Sequence, residues 1–197
     1  MREGRRRGGP LFFAGLDLAG SPSRETGVAV LGGCAPCRIL ELSIVYTDEE
    51  ILGVLGRYRP AVLAIDAPLT PSTGGYRMVD IEAKKLGFRL LPPSWRGMRM
   101  LTMRGIRLAE LLTARGFKVV ETHPRSALLS AGCRPEEWAS CLDWCVEIGE
   151  PGRLGRHVVD ALISACVAYQ YHLGQARIVS AEDGEIVLLS PTGQRRP

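Results

Sequence analysis

Three apolar runs in this chain end in an acid. Phe12-Phe13-Ala14-Gly15-Leu16-Asp17 breaks at Gly20 and Pro22, Ala61-Val62-Leu63-Ala64-Ile65-Asp66 is stopped by Pro68, and Phe117-Lys118-Val119-Val120-Glu121 is stopped by Pro124. Taking a carboxylate out of water costs several kcal/mol unless a cation or good hydrogen bonds compensate, so Asp17, Asp66 and Glu121 each need a partner. If the runs are neighbouring parallel strands, the acids gather at one edge of the sheet, where open α/β sheets place their ligands. Such a group repels itself unless a hard cation sits within it, and carboxylate oxygens select Mg²⁺ or Mn²⁺. A fourth acid, Asp160, opens the longest helical pattern, and His157, Asp160 and Ser164 fall on one face of it. Each acid also has a purely structural reading. Asp17 and Asp66 can accept turn amides, Glu121 can pair with Arg125, and Asp160 suits the first turn of a helix.

The elements that must position these residues follow from periodicity. After the first run, Thr26 to Leu31 is apolar and Arg38 to Tyr46 alternates, so strands one to three read as an antiparallel meander. Thr47 or Asp48 caps a helix through Arg59, with Glu49 and Glu50 in its first turn. The crossover rule then lays the strand ending at Asp66 parallel beside the first. Arg77 to Leu86 reads as a helix, Thr102 starts another that Gly116 closes, and Gly155 opens the last, which stops at Gly174. Ile178-Val179 and Glu185 to Leu189, joined through Asp183-Gly184, form a closing hairpin. Residues 124–150 hold one or two short helices whose arrangement the pattern does not give.

Leu91 to Arg104 is expected to be a substrate loop folding over the acidic edge. Acidic ligands repel phosphates, and Arg96, Arg99 and Arg104 form the densest basic group outside the tails. Trp95 is placed to stack on a base; its structural alternative, shared with Met98 and Met100, is to plug the core.

A strand-one Asp, a strand-four Asp, a later acid and an Asp on a C-terminal helix make up the ribonuclease-H-like arrangement. There, two metal ions about 4 Å apart activate a water and stabilise the leaving oxygen of a phosphodiester. The expected fold is a five-stranded mixed sheet flanked by helices, with a C-terminal hairpin. The resemblance goes further, through Gly15-Leu16-Asp17-Leu18-Ala19-Gly20-Ser21, Ile65-Asp66-Ala67-Pro68-Leu69, Pro92-Pro93-Ser94 with Gly97-Met98, and Leu101-Thr102-Met103-Arg104-Gly105. With Glu121-Thr122-His123-Pro124 and His157-Val158-Val159-Asp160-Ala161-Leu162, these resemble the successive signatures of domain-of-unknown-function family 429, predicted nucleases with a ribonuclease-H-like fold. The resemblance runs from Leu11 to Pro191. It implies Asp17, Asp66, Glu121 and Asp160 as metal ligands for Mg²⁺ or Mn²⁺ and nucleic acid, DNA or RNA, as the partner. It also sets His157 where Holliday-junction resolvases place a residue beside their last metal ligand.

Two other classes stay open. Asp17 to Ser21 also resembles the phosphate loop of actin-like ATPases and sugar kinases, with Ser21 towards the phosphate; those enzymes close a cleft between two such domains, which a homodimer could restore. The third class is a nucleic-acid-binding protein without catalysis.

Length and composition bound these readings. At 197 residues the chain suits one domain, expected over 11–191 after a basic, disordered tail at 1–10. Hydrophobic residues at 46% and charged residues at 23% fit a globular protein and not a membrane one, and a cytoplasmic location is the default. The net charge of +4 owes much to Arg2, Arg5, Arg6, Arg7, Arg195 and Arg196 at the ends. Among six cysteines, Cys34 and Cys37 form a C-x-x-C in a hairpin turn, where a zinc site or a link between the two is the alternative to free thiols. Cys133 and Cys166 read as small core or surface residues.

Overall fold

The computed structural model describes residues 10–191; the expected basic tail lies outside the described residues except for Pro10. The sheet comprises β1 (Phe12–Asp17), β2 (Thr26–Gly32), β3 (Arg38–Val45), β4 (Val62–Asp66), β5 (Val119–Thr122), β6 (Arg177–Ala181) and β7 (Gly184–Leu188). Its seven strands run in the order β3-β2-β1-β4-β5-β7-β6. The meander β1 to β3 is antiparallel, and β4 and β5 add in parallel on the other side of β1. The closing hairpin is therefore not an appendage to a five-stranded sheet. β7 joins β5 in parallel through Thr122 and Val187, and the Thr122 hydroxyl donates to the Val187 carbonyl at 2.7 Å.

Alternation along the strands sorts the core into two layers. Leu16, Leu63 and Ile65 pack with Ile51 and Leu55 of α1 (Asp48–Tyr58) and with Leu108 and Leu112 of α3 (Arg96–Ala114). Phe13 and Ala64 face the opposite way, towards Ala161, Leu162 and Ala165 of the last helix. The first helix starts as its sequence dictates: Thr47 Oγ accepts the Glu50 N–H at 3.2 Å and Glu50 accepts the Thr47 N–H at 3.0 Å, which satisfies two amides that a helix start leaves open. In α2 (Met78–Lys85) the N-cap is Arg77, which has no side-chain oxygen, and the hairpin turn supplies one. Asp183 accepts the Met78 and Val79 N–H groups at 2.5 and 2.9 Å.

The expected substrate loop is mostly helix. Only Leu91 to Trp95 is irregular, and α3 spans Arg96–Ala114. The prolines end at Pro93, so nothing prevents a helix from starting after Trp95, and the apolar spacing of Leu108 and Leu112 extends back to Leu101. Basic residues in the first turn oppose the helix dipole, which is why this start did not announce itself.

Residues 124–150 form α4 (Pro124–Ser130), a short 3₁₀ turn and α5 (Trp138–Cys141). A disulfide joins Cys133 to Cys141, so Cys133 is a cross-linked residue rather than a small filler. Cys34 is exposed and Cys37 buried, and both are free thiols, so they are not linked to each other.

The last helix, α6 (Arg156–His172), lies almost directly on the sheet. A Cβ added at Gly15 would sit 2.1 Å from the Ala161 carbonyl oxygen, and one at Gly27 would sit 2.0 Å from that of His157. These two glycines set the height of α6 above β1 and β2.

Candidate active site

Asp17 and Asp66 are register partners at the ends of β1 and β4. Neighbouring strands lie about 4.8 Å apart and partners share a face, so the two carboxylates stand side by side. Asp17 follows Phe13 and Gly15 at period two, which turns it towards α6. The Gly27 contact brings the first turn of α6 over that point, and His157 Nδ1 meets Asp17 Oδ2 at 2.5 Å. One turn on, Asp160 enters the same field.

The acids bear the signs of crowding. Burial pushes Asp66 well above the usual carboxylate range, and the charges of Asp17, Asp160 and Glu121 push it further. Burial also raises Asp17, against the pull of His157 and Arg156. Asp160 is raised by burial and by Asp17. The neighbouring cation is Arg156, whose contact with Asp160 is long at 3.5 Å and whose side chain is 89% exposed. The three carboxylates Asp17, Asp66 and Asp160 suit a hard cation, and their mutual repulsion is what such a cation relieves. As the side chains stand, no three His, Cys, Asp or Glu residues among the described residues close around a single point.

The structure does not bring Glu121 into this group. It is the register partner of Ile65, one residue short of Asp66, so its side chain leaves the opposite face. There Arg77 holds it with two bonds of 2.8 and 2.5 Å, and Leu69 N–H donates to it at 2.7 Å. Arg77 also binds both oxygens of Asp80, so the three form a buried cluster beneath the acidic edge. The partner of Glu121 is thus Arg77 and not Arg125. Burial raises the Glu121 carboxyl and the Arg77 guanidinium counters it.

Of the basic residues, Arg104 is a correction. It is 7% exposed, and its guanidinium donates to Asp48, to the Ala19 carbonyl at 2.8 Å and to the Tyr46 carbonyl at 2.7 Å. It ties α3 to the β1–β2 turn and to the start of α1, and nothing of it is left for a substrate. Arg96 and Ser21 line a cleft of about 730 Å³ beside Asp17 and His157, together with Arg24 and Met100. Arg99 is exposed on the same helix without lining that cleft. Trp95 is 58% exposed and Met100 59%, so neither plugs the core.

A second cleft, about 700 Å³, opens on the other side, along Asp66 and Asp160, and is lined by Arg89, His123, Arg125, Trp138 and Arg156. None of these five was expected at a site: His123 figured only in the Glu121-Thr122-His123-Pro124 motif and Arg125 only as a candidate partner of Glu121. His123 caps α4, its Nδ1 accepting the Ser126 N–H at 3.3 Å. Burial, helped by Arg125, pulls its pKa down to about 4, so the ring is neutral near pH 7.

No protein-family model matches this chain, and no curated protein matches it. Among solved structures, T. thermophilus RuvC in complex with Holliday junction substrate is similar, at a TM-score of 0.51 and 18% identity, covering 84% of this chain and 98% of that one. Among the described residues, no helix is long and apolar enough to cross a membrane. The seven-stranded mixed sheet, with α6 laid across β1 and β2, is a ribonuclease-H-like α/β fold.

Proposed function

We propose that this protein is a nuclease that hydrolyses phosphodiesters of DNA or RNA with Mg²⁺ or Mn²⁺. The observation that carries the reading is the pairing of Asp17 and Asp66 across adjacent parallel strands, with Asp160 brought over them by α6. Asp17, Asp66 and Asp160 would hold the ion, and Glu121 would act from beneath through the charge it adds to Asp66. When bound, the ion would supply charge for the scissile phosphate and lower the pKa of water.

The chain's own residues do the rest. His157 donates from Nδ1 to Asp17 Oδ2, which fixes the imidazole and leaves Asp17 Oδ1 available. In the neutral ring, Nε2 then carries the lone pair and can take a proton from an attacking water. Arg96, Arg24 and Ser21 offer donors to the phosphates of a strand lying in the cleft beside Asp17. That RuvC was solved on a Holliday junction supports nucleic acid as the substrate class and leaves its architecture open.

The test is cleavage of labelled single strands, duplexes, hybrids and junctions with each divalent ion, run beside ATP hydrolysis. Cleavage lost in EDTA and in Asp17→Asn, with the fold intact, supports the nuclease. Metal-dependent ATP turnover without cleavage replaces it with a phosphotransferase of the actin-like kind. Nucleic-acid binding with neither activity leaves a binding protein.

A further inference from the structure

The acidic edge separates two clefts of similar volume, and the proposed reaction uses only the one beside Asp17. The other is walled by three guanidinium groups delivered by separate elements: Arg89 after α2, Arg125 in the first turn of α4 and Arg156 at the start of α6. Arg89 and Arg125 are exposed and take part in none of the ion pairs among the described residues. Arg156 has only its long contact with Asp160. Arginines that stabilise a fold are spent on it, as Arg77 and Arg104 are here. Arg89 and Arg125 are unspent and Arg156 is only loosely held, so the cleft's three guanidinium groups outnumber its two carboxylates, Asp66 and Asp160, and the Arg89–Arg125 flank draws an anion. His123 adds a neutral donor. Its Nδ1 faces Ser126 Oγ at 2.7 Å and accepts the Ser126 N–H, so the ring proton resides on Nε2. Trp138, half-buried at the cleft wall, offers an aromatic surface to a base.

We propose that this second cleft binds the phosphates of a single-stranded polynucleotide on the Asp160 side of the scissile bond, so that the strand crosses the acidic edge with one flank in each cleft. The inference rests on the nuclease reading and names its substrate: a single-stranded stretch with phosphates on both sides of the bond to be cut. A mononucleotide or a chain end fills one cleft only and binds weakly.

The test is equilibrium binding of a fluorescein-labelled oligothymidylate long enough to span both clefts, in EDTA, over a series of salt concentrations. For single strands, log K falls with log salt by about 0.7 per phosphate contact, so Arg89→Ala with Arg125→Ala should flatten the slope by about 1.4. The paired Arg→Lys variant keeps both charges and should restore most of the slope. Both side chains are exposed, and an unchanged Tm in each variant shows that the fold is intact. If the double alanine variant keeps the wild-type slope and affinity while the wild type binds and cleaves, the inference falls and the nuclease stands. If the wild type cleaves duplexes but does not bind the single strand at low salt, the inference falls in the same way. A wild type that neither binds nor cleaves any nucleic acid takes both down.

Discussion

Gly27→Ala tests how the site is held together. The new methyl would lie 2.0 Å from the His157 carbonyl oxygen and 2.5 Å from its carbon, whereas ordinary contact begins at 3.4 Å. The obstacle is helix backbone and not the end of a flexible side chain, so α6 must retreat by about 1.4 Å, the difference between 3.4 and 2.0. Overpacking of this kind costs about 1–3 kcal/mol. At about 2–4 °C per kcal/mol for a chain of this size, Tm should fall by roughly 2–12 °C. The same retreat lifts His157 from Asp17, whose bond is 2.5 Å, and misplacement of about 1 Å in a reacting group can cost on the order of 10²-fold in rate. Thermal unfolding, the His157 ring resonances and the cleavage rate should therefore move together. Gly53→Ala is the control, because its added methyl meets nothing within 4 Å. In a helix interior alanine is favoured over glycine by about 1 kcal/mol, so this variant should raise Tm. An unchanged Tm and unchanged His157 resonances in Gly27→Ala would refute the idea that the glycine sets the height of α6.

Asp66 has its folded pKa raised by burial and by its acidic neighbours, above an unfolded value of about 3.9. The folded state then holds the proton more tightly, so stability falls as pH rises from the unfolded value through the folded one, and it stays reduced above that. Without divalent ions, Asp66→Asn should therefore raise Tm at neutral pH and flatten its pH dependence; a lower Tm at neutral pH would mean that the carboxylate is a structural acceptor. Arg77→Met should destabilise strongly, since it strands Asp80 and Glu121 as buried, uncompensated acids. Breaking a buried pair costs about 3–5 kcal/mol, which denaturant unfolding would read directly, and a midpoint equal to the wild type's would show that water replaces the guanidinium.

The strand-end acids were legible because burial and charge conflict openly in an apolar run, and a conflict of that kind needs a partner wherever the chain folds. The nearness of Asp17 to Asp66 followed from the crossover rule together with the place of each acid at the end of its apolar run. Glu121 carried the same signal and led elsewhere, because register decides the face and a single-residue offset is invisible before the ladder forms. Its partner Arg77 lies 44 residues away and looks like any helix-start arginine. Arg104 and Arg96 illustrate the same limit. Both are basic residues of one segment, yet one is buried by the β1–β2 turn and the other faces a cleft. The second cleft was unreadable because Arg89, Arg125 and Arg156 come from three elements that only the assembled sheet brings together.

The contact of α6 with β1 also fixes when the acids can meet. Asp17 and His157 are 140 residues apart in the chain, and β7, which follows α6, pairs with β5. Closing so long a loop brings no reward until both ends are present, and chains rich in such distant pairings fold slowly. During synthesis the meander and the α1–β4 crossover can form first, with Asp17 and Asp66 already side by side but open to water on the face that α6 will cover. The third acid and the imidazole arrive only once α6, 140 residues behind Asp17, has emerged. An emerging chain therefore carries two solvated acids and an incomplete cluster until α6 has been made and has docked on β1.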